Sequence, residues 1–192
     1  MRKVAVARCA FVVMTLSMLA ASGADKTVTK KEKGFEISFP ESWTVDEKIP
    51  GTVLELAMSV PNGIAKGTSN TVTVDVRVTE LEEGATLDRY KDSQMAPFIE
   101  SIKAKIELLK NKRVNKFEMS RSEPSKLSGI DAVKVSHTGD DNENVRYTRD
   151  WHFIVVGKRG YTVCRFASKE NFDKHIAELD AIVKSFKLIE AK

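Results

Sequence analysis

Thr71-Val72-Thr73-Val74-Asp75-Val76-Arg77-Val78-Thr79-Glu80-Leu81 carries valine at every second position and polar residues between them. Only an extended chain, whose side chains alternate across a sheet, turns that period into one apolar and one polar face. Reading toward the N-terminus, Thr52–Val60 alternates in the same way, with Leu54, Leu56 and Met58 on one side. Pro61–Ser69, containing Gly63 and Gly67, is predicted to be the hairpin loop between those two strands. Trp43 and Val45 open a short extended piece, and Phe35-Glu-Ile-Ser-Phe39 is a half-buried strand that Pro40 ends.

Toward the C-terminus the period changes. Thr86 is placed to cap a helix entering at Leu87, with Asp88 in the favourable first turn. Phe98, Ile102, Ile106 and Leu109 continue its apolar stripe, and Pro97 is expected to kink or restart it. Strands are predicted near 116–122, 130–138 and 145–156, then a Gly157–Gly160 turn into Tyr161–Ala167. A last helix, capped by Ser168, is predicted to run to about Phe186 with Phe172, Ile176, Leu179, Ile182, Val183 and Phe186 on one face. Strands joined by short turns predict an α+β domain, an antiparallel β-sheet flanked by helices.

The chain has 192 residues, 31 Lys+Arg against 27 Asp+Glu, and a pI near 9.0. Three of those cations, Arg2, Lys3 and Arg8, lie in residues 1–24, which contain no acid. A basic start, a 13-residue apolar run from Cys9 to Ala21, and small Ser22 and Ala24 form the pattern of a secretory signal peptide. The apolar run is short of the roughly 20 residues that span a bilayer. Asp25, not cysteine, follows the expected cleavage point, so neither a membrane span nor a lipid anchor is expected. From residue 25 on, 28 cations face 27 acids, which removes the electrostatic case for nucleic acid. Residues 25–33 are expected to form a flexible charged lead and residues 34–192 a single domain. Cys164 is then the lone cysteine, read as a buried structural thiol whose neighbour Arg165 points to the other face.

Gly34-Phe35-Glu36-Ile37-Ser38-Phe39-Pro40-Glu41-Ser42-Trp43 resembles the opening of the PsbP-like proteins. Gly129 before a strand, Gly160-Tyr161-Thr162-Val163, and a terminal Val183-Lys184-Ser185-Phe186 resemble their closing half. The resemblance covers roughly residues 33–188. It implies an α/β/α sandwich and non-catalytic relatives: a lumenal photosystem II subunit, exported bacterial proteins including the DcrB-like ones, and a nuclear Ran-binding protein. No metal-binding residues of the photosynthetic member find a match, so none are carried over.

Catalytic and metal motifs fail on spacing. Asp140-Asp141-Asn142-Glu143-Asn144 places oxygen ligands like half a calcium loop, but Val145 and Trp151 stand where such a loop needs glycine and glutamate. A solvated hairpin turn is the plainer reading. Gly63–Ser69 has the letters of a phosphate loop in the wrong order and between strands. His137, His152 and His175 match no paired-ligand spacing, and no Gly-x-Ser-x-Gly elbow occurs. Neither an enzyme nor a cofactor is expected.

Two surfaces remain. Lys103, Lys105, Lys110, Lys112, Arg113 and Lys116 put six cations and only Glu107 into fourteen residues. They form either a solvated helix C-terminus or a dock for an acidic partner. Asp75, Arg77, Thr79, Lys134, Ser136, Arg146, Thr148, Asp150 and His152 alternate with apolar residues and are assigned to one polar sheet face. Within it Asp75, Arg77, Arg146, Asp150 and His152 are the candidate partner-binding residues. The expectation is a non-enzymatic exported protein acting through protein–protein or assembly contacts. Its compartment would be periplasmic or extracellular, or the thylakoid lumen in a photosynthetic source. The alternative is an envelope module that binds a small ligand or a metal.

Overall fold

A computed structural model describes residues 25–47, 52–59, 71–108, 117–119, 122–140 and 145–190. Residues 1–24, expected to be a signal peptide, the expected hairpin loop at Pro61–Ser69, Lys110, Lys112, Arg113, Lys116 and Asp141–Asn144 lie outside the described residues. Two antiparallel sheets form. The larger contains β3 (Thr44–Asp46), β4 (Leu54–Ser59), β5 (Thr71–Glu80), β6 (Phe117–Met119), β7 (Glu123–Leu127), β8 (Ile130–Asp140), β9 (Arg146–Val156) and β10 (Arg159–Ser168). Its spatial order is β3-β4-β5-β10-β9-β8-β6, with β7 also paired to β8. The smaller sheet is β1 (Asp25–Lys30), β2 (Phe35–Pro40) and β11 (Lys187–Leu188), in the order β1-β2-β11.

Each face of the large sheet is apolar only where something packs on it. On one face Val72, Val74, Val76, Val163 and Ile154 meet Phe35, Ile37 and Phe39 of β2. Leu179, Ile182 and Val183 of α3 (Ile176–Ser185) and Phe172 of α2 (Lys169–Lys174) complete that core. On the opposite face Val135, Trp151, Phe153 and Cys164 meet Tyr90 and Met95 of α1 (Leu87–Leu108). Each fully buried valine, isoleucine or leucine contributes about 1.5–3 kcal/mol. The result is a sandwich with helices on both sides of an antiparallel sheet, the α+β class read from the alternating segments.

Local chemistry explains the element ends. Thr86 Oγ1 accepts the Arg89 amide at 3.3 Å, and Ser168 Oγ accepts the Asn171 amide at 3.4 Å, the expected N-caps. The two-residue turn from β7 to β8 puts Ser128 at φ 54° and Gly129 at φ 76°, the left-handed pair of a type I′ hairpin. Gly160 is required for another reason: a Cβ there would lie 2.6 Å from the Tyr90 ring.

Four local expectations change. The Asp25–Lys33 segment, read as flexible because of its charge, supplies β1, paired along its whole length to β2, and a 3-10 turn at Lys31–Lys33. Only Val28 and Lys30 turn partly inward while the other four positions stay exposed, so an edge strand tolerates the charged composition. Pro97 does not restart the helix: it sits inside α1, which runs continuously from Leu87 to Leu108. The single strand expected near 116–122 is two short strands, β6 and β7. The terminal helix breaks at His175, whose φ, ψ of −105°, 15° end α2 and begin α3. Glu178 fixes that junction by meeting His175 Nδ1 at 3.3 Å and accepting the Trp43 indole N–H at 2.8 Å.

Candidate functional site

Residues directly opposite across an antiparallel pair share a face. Asp75 stands opposite Cys164, which stands opposite Trp151, and Arg77 stands opposite Thr162. Both therefore lie on the α1 side of the sheet. Asp150 stands opposite Arg165, itself opposite Val74, and His152 stands opposite Val163, itself opposite Val76. With Arg146 they lie on the other side. The five residues assigned to one polar face are thus split between two. Alternation fixes a side chain relative to its own strand, whereas the pairing register fixes one strand relative to the next.

The α2–α3 side holds the stronger constellation. Arg165 donates to Asp150 Oδ2 from Nη2 at 2.7 Å and from Nε at 3.1 Å, while Nη1 donates to Asp180 of α3. Lys134 Nζ lies 3.5 Å from the same Asp150 oxygen. The Arg165 guanidinium carbon sits 5.1 Å from the centre of the Phe172 ring, so α2 closes over it. Burial alone would push the Asp150 carboxyl up. Hydrogen bonds from Ser136 and Arg165, with the charges of Arg165 and Lys134, outweigh burial and hold it below the usual carboxylate range. His152, 8% exposed, is pushed down to about 4 by burial first and the Arg165 charge second. Its ring nitrogens have no hydrogen-bond partner among the described residues.

Neither Arg165 nor Asp180 stood among the sequence candidates. Arg165 enters the sequence only as the neighbour of Cys164; its place two residues from Val163, on the same face of a strand, is the available signal. Chemically the cluster is a clamp. A bidentate arginine joins a sheet carboxylate to a helix carboxylate, and no group in it is both ionised and free to attack or transfer a proton.

Elsewhere the candidates disperse. Arg77 pairs with Asp75 at 3.0 Å, and Glu55, opposite Asp75, is raised by burial and then by the charges of Asp75 and Asp46. Arg146 bridges Glu118 at 3.2 Å and Asp140 at 3.5 Å, which gives Asp140 a role in the hairpin stem. Lys103 pairs with Glu100 at 2.9 Å on the exposed side of α1; Lys105 also lies on that helix, and the other four basic positions fall outside the described residues. Cys164 is buried, and burial pushes its thiol well above the ordinary value. His137 and His152 sit on opposite sheet faces. Among the described residues no three His, Cys, Asp or Glu side chains converge on a metal position, and no helix is long and apolar enough to cross a membrane.

A helix-flanked antiparallel sheet with a small N-terminal sheet packed on one face is the PsbP-like architecture. The solution structure of cyanobacterial PsbP (CyanoP) from Synechocystis sp. PCC 6803 matches it with a TM-score of 0.61 at 12% identity, over 92% of this chain and 98% of that one. LpqN, involved in cell envelope biogenesis of Mycobacterium tuberculosis, matches with a TM-score of 0.57 at 12% identity, covering 86% and 91%. A Bacteroides thetaiotaomicron protein matches with 0.52 at 11% identity; this chain covers 87% of itself and about half, 48%, of that protein. No family model matches the chain, and no curated protein does. At these identities the likeness is one of fold.

Proposed function

We propose that this chain is a non-catalytic exported protein that works by contact with a protein partner. The observation that carries the reading is how the ionisable groups are spent. The buried ones (Asp150, Arg165, His152, Cys164) are committed to packing, while two part-exposed arginines stand on opposite faces of the large sheet. Arg77, beside Asp75, marks the α1 face, and Arg146, with Glu118 and Asp140, marks the other. Rigid, polar, part-exposed sheet surface suits docking better than turnover, which needs a pocket with converging groups. The signal-peptide pattern of residues 1–24 supports export, and the fold shared with LpqN and CyanoP supports an envelope or lumenal setting.

The test is cross-linking of the tagged chain in its own host, with Arg77→Glu and Arg146→Glu made separately because the two lie on opposite faces. One reversal is expected to abolish a specific cross-linked product while the melting temperature stays unchanged. Products unaffected by either reversal would rule out both arginines.

A further inference from the structure

At the β6 end of the α1 face lies a cluster that includes neither Arg77 nor Arg146. Arg149 projects there from β9, between Phe166 opposite it on β10 and His137 opposite it on β8. Its guanidinium carbon is 4.5 Å from the Phe166 ring centre, 5.7 Å from Trp151 and 5.8 Å from Phe98 of α1. The rings also support one another: Phe98 to Trp151 at 4.7 Å, Phe98 to His137 at 5.1 Å, and Tyr147 to Phe166 at 5.5 Å. Met119 of β6, opposite His137, adds an exposed thioether.

Arg149 forms no ion pair among the described residues, and its buried Nε has no hydrogen-bond acceptor there. Arg165, on the same sheet, is held by two carboxylates; among the described residues Arg149 is stacked on π faces instead. Aromatic rings steady a guanidinium but leave its donor edge unused, and that edge is shaped for a carboxylate. The side chain is already ordered, so a partner loses little entropy in meeting it. Arginine among Trp, Tyr, Phe and Met is also the composition of interface hot spots.

We infer that Arg149 is the anchor of a binding surface for an acidic peptide segment of a partner protein. One carboxylate would meet the guanidinium, and apolar neighbours would rest on Phe166, Tyr147 and Met119. A single fixed positive charge matches one carboxylate, and residues 25–192, with 28 cations against 27 acids, exert no long-range pull on polyanions. This rests on the proposed contact function and specifies its site and chemistry.

The probe is an array of eight-residue peptides, each setting one Asp or Glu among Phe, Leu or Met, beside amide twins bearing Asn or Gln. The tightest binder is then measured by fluorescence anisotropy against the chain from residue 25 on, and against R149M, R149K and, as a control on the small sheet, K187A. Expected are a loss of roughly tenfold or more for R149M and for the amide twin, a smaller loss for R149K, and none for K187A. The R149M melting temperature checks folding; should it not fold, R149K with F166L carries the comparison. No preference for acid over amide, binding that survives R149M, or equal displacement by inorganic phosphate would each overturn the inference. A photo-crosslinker placed at Met119 and, separately, at Thr79 in the host separates the two levels. Products from Thr79 alone would sink this site and leave the contact function standing, while none from either position would count against both.

Discussion

Acid should unfold this protein through His152 before its carboxylates titrate. His152 is buried between Arg165 and Lys134, with Asp150 and Asp180 partly offsetting them, and its value falls from 6.5 to about 4. A histidine whose folded value is depressed contributes nothing above pH 6.5. Below it the unfolded chain takes up a proton that the folded chain refuses, so stability falls with pH until the folded value is reached. A shift of that size corresponds to about 2.5 kcal/mol lost by pH 4.5, a large share of the ~5–15 kcal/mol that holds a domain together. His137, also near 4 through burial and the Arg149 charge, acts in the same direction. Asp150, lowered, begins to act only as pH falls through the carboxylate range. The assay is urea unfolding of wild type and His152→Gln at pH 7.0, 6.0, 5.0 and 4.5. The two lines should converge as pH falls, by about 2.5 kcal/mol at the last point. Parallel lines would refute the argument, because they would mean that His152 takes up its proton as easily folded as unfolded.

Arg165→Met should cost about 3–5 kcal/mol by leaving Asp150 charged and buried, whereas Asp180→Asn, at the half-exposed end of the clamp, should cost under about 1 kcal/mol; chemical denaturation measures both. Gly160→Ala drives a methyl into the Tyr90 ring and should cost about 1–3 kcal/mol, partly recovered by Tyr90→Leu if the collision is the cause. In the chain from residue 25 on, Cys164 should react with a thiol reagent only at the rate of unfolding; rapid labelling in native buffer at pH 8 would contradict its burial.

The class of fold was legible because it depends on periods within single segments. Val72, Val74, Val76 and Val78 declare an apolar face whatever lies beside them, and Leu179, Ile182 and Val183 do so for the helix that covers it. The candidate surface was less legible because it depends on relations between segments. Asp75 and Asp150 are each the polar member of an alternating strand, yet Cys164 and Arg165, adjacent on β10, carry them to opposite sides: Cys164 opposes Asp75 and Trp151, while Arg165 opposes Val74 and Asp150. A sheet covered on both faces, but at different ends, makes polar alternation ambiguous, since a polar residue can belong to the open corner of either face. Charge composition misleads at the other end of the chain, where Asp25–Lys30 pairs as a strand despite three charges in six residues. The same two-sidedness bears on partners. Arg77 and Arg149 share the α1 face, four residue steps and two strands apart, and Arg146 is behind both. A single partner of ordinary interface size, ~800 Å² on each side, can cover the first two but has to choose between them and Arg146. Loss of binding on changing residues of one face and not the other is the pattern this geometry demands.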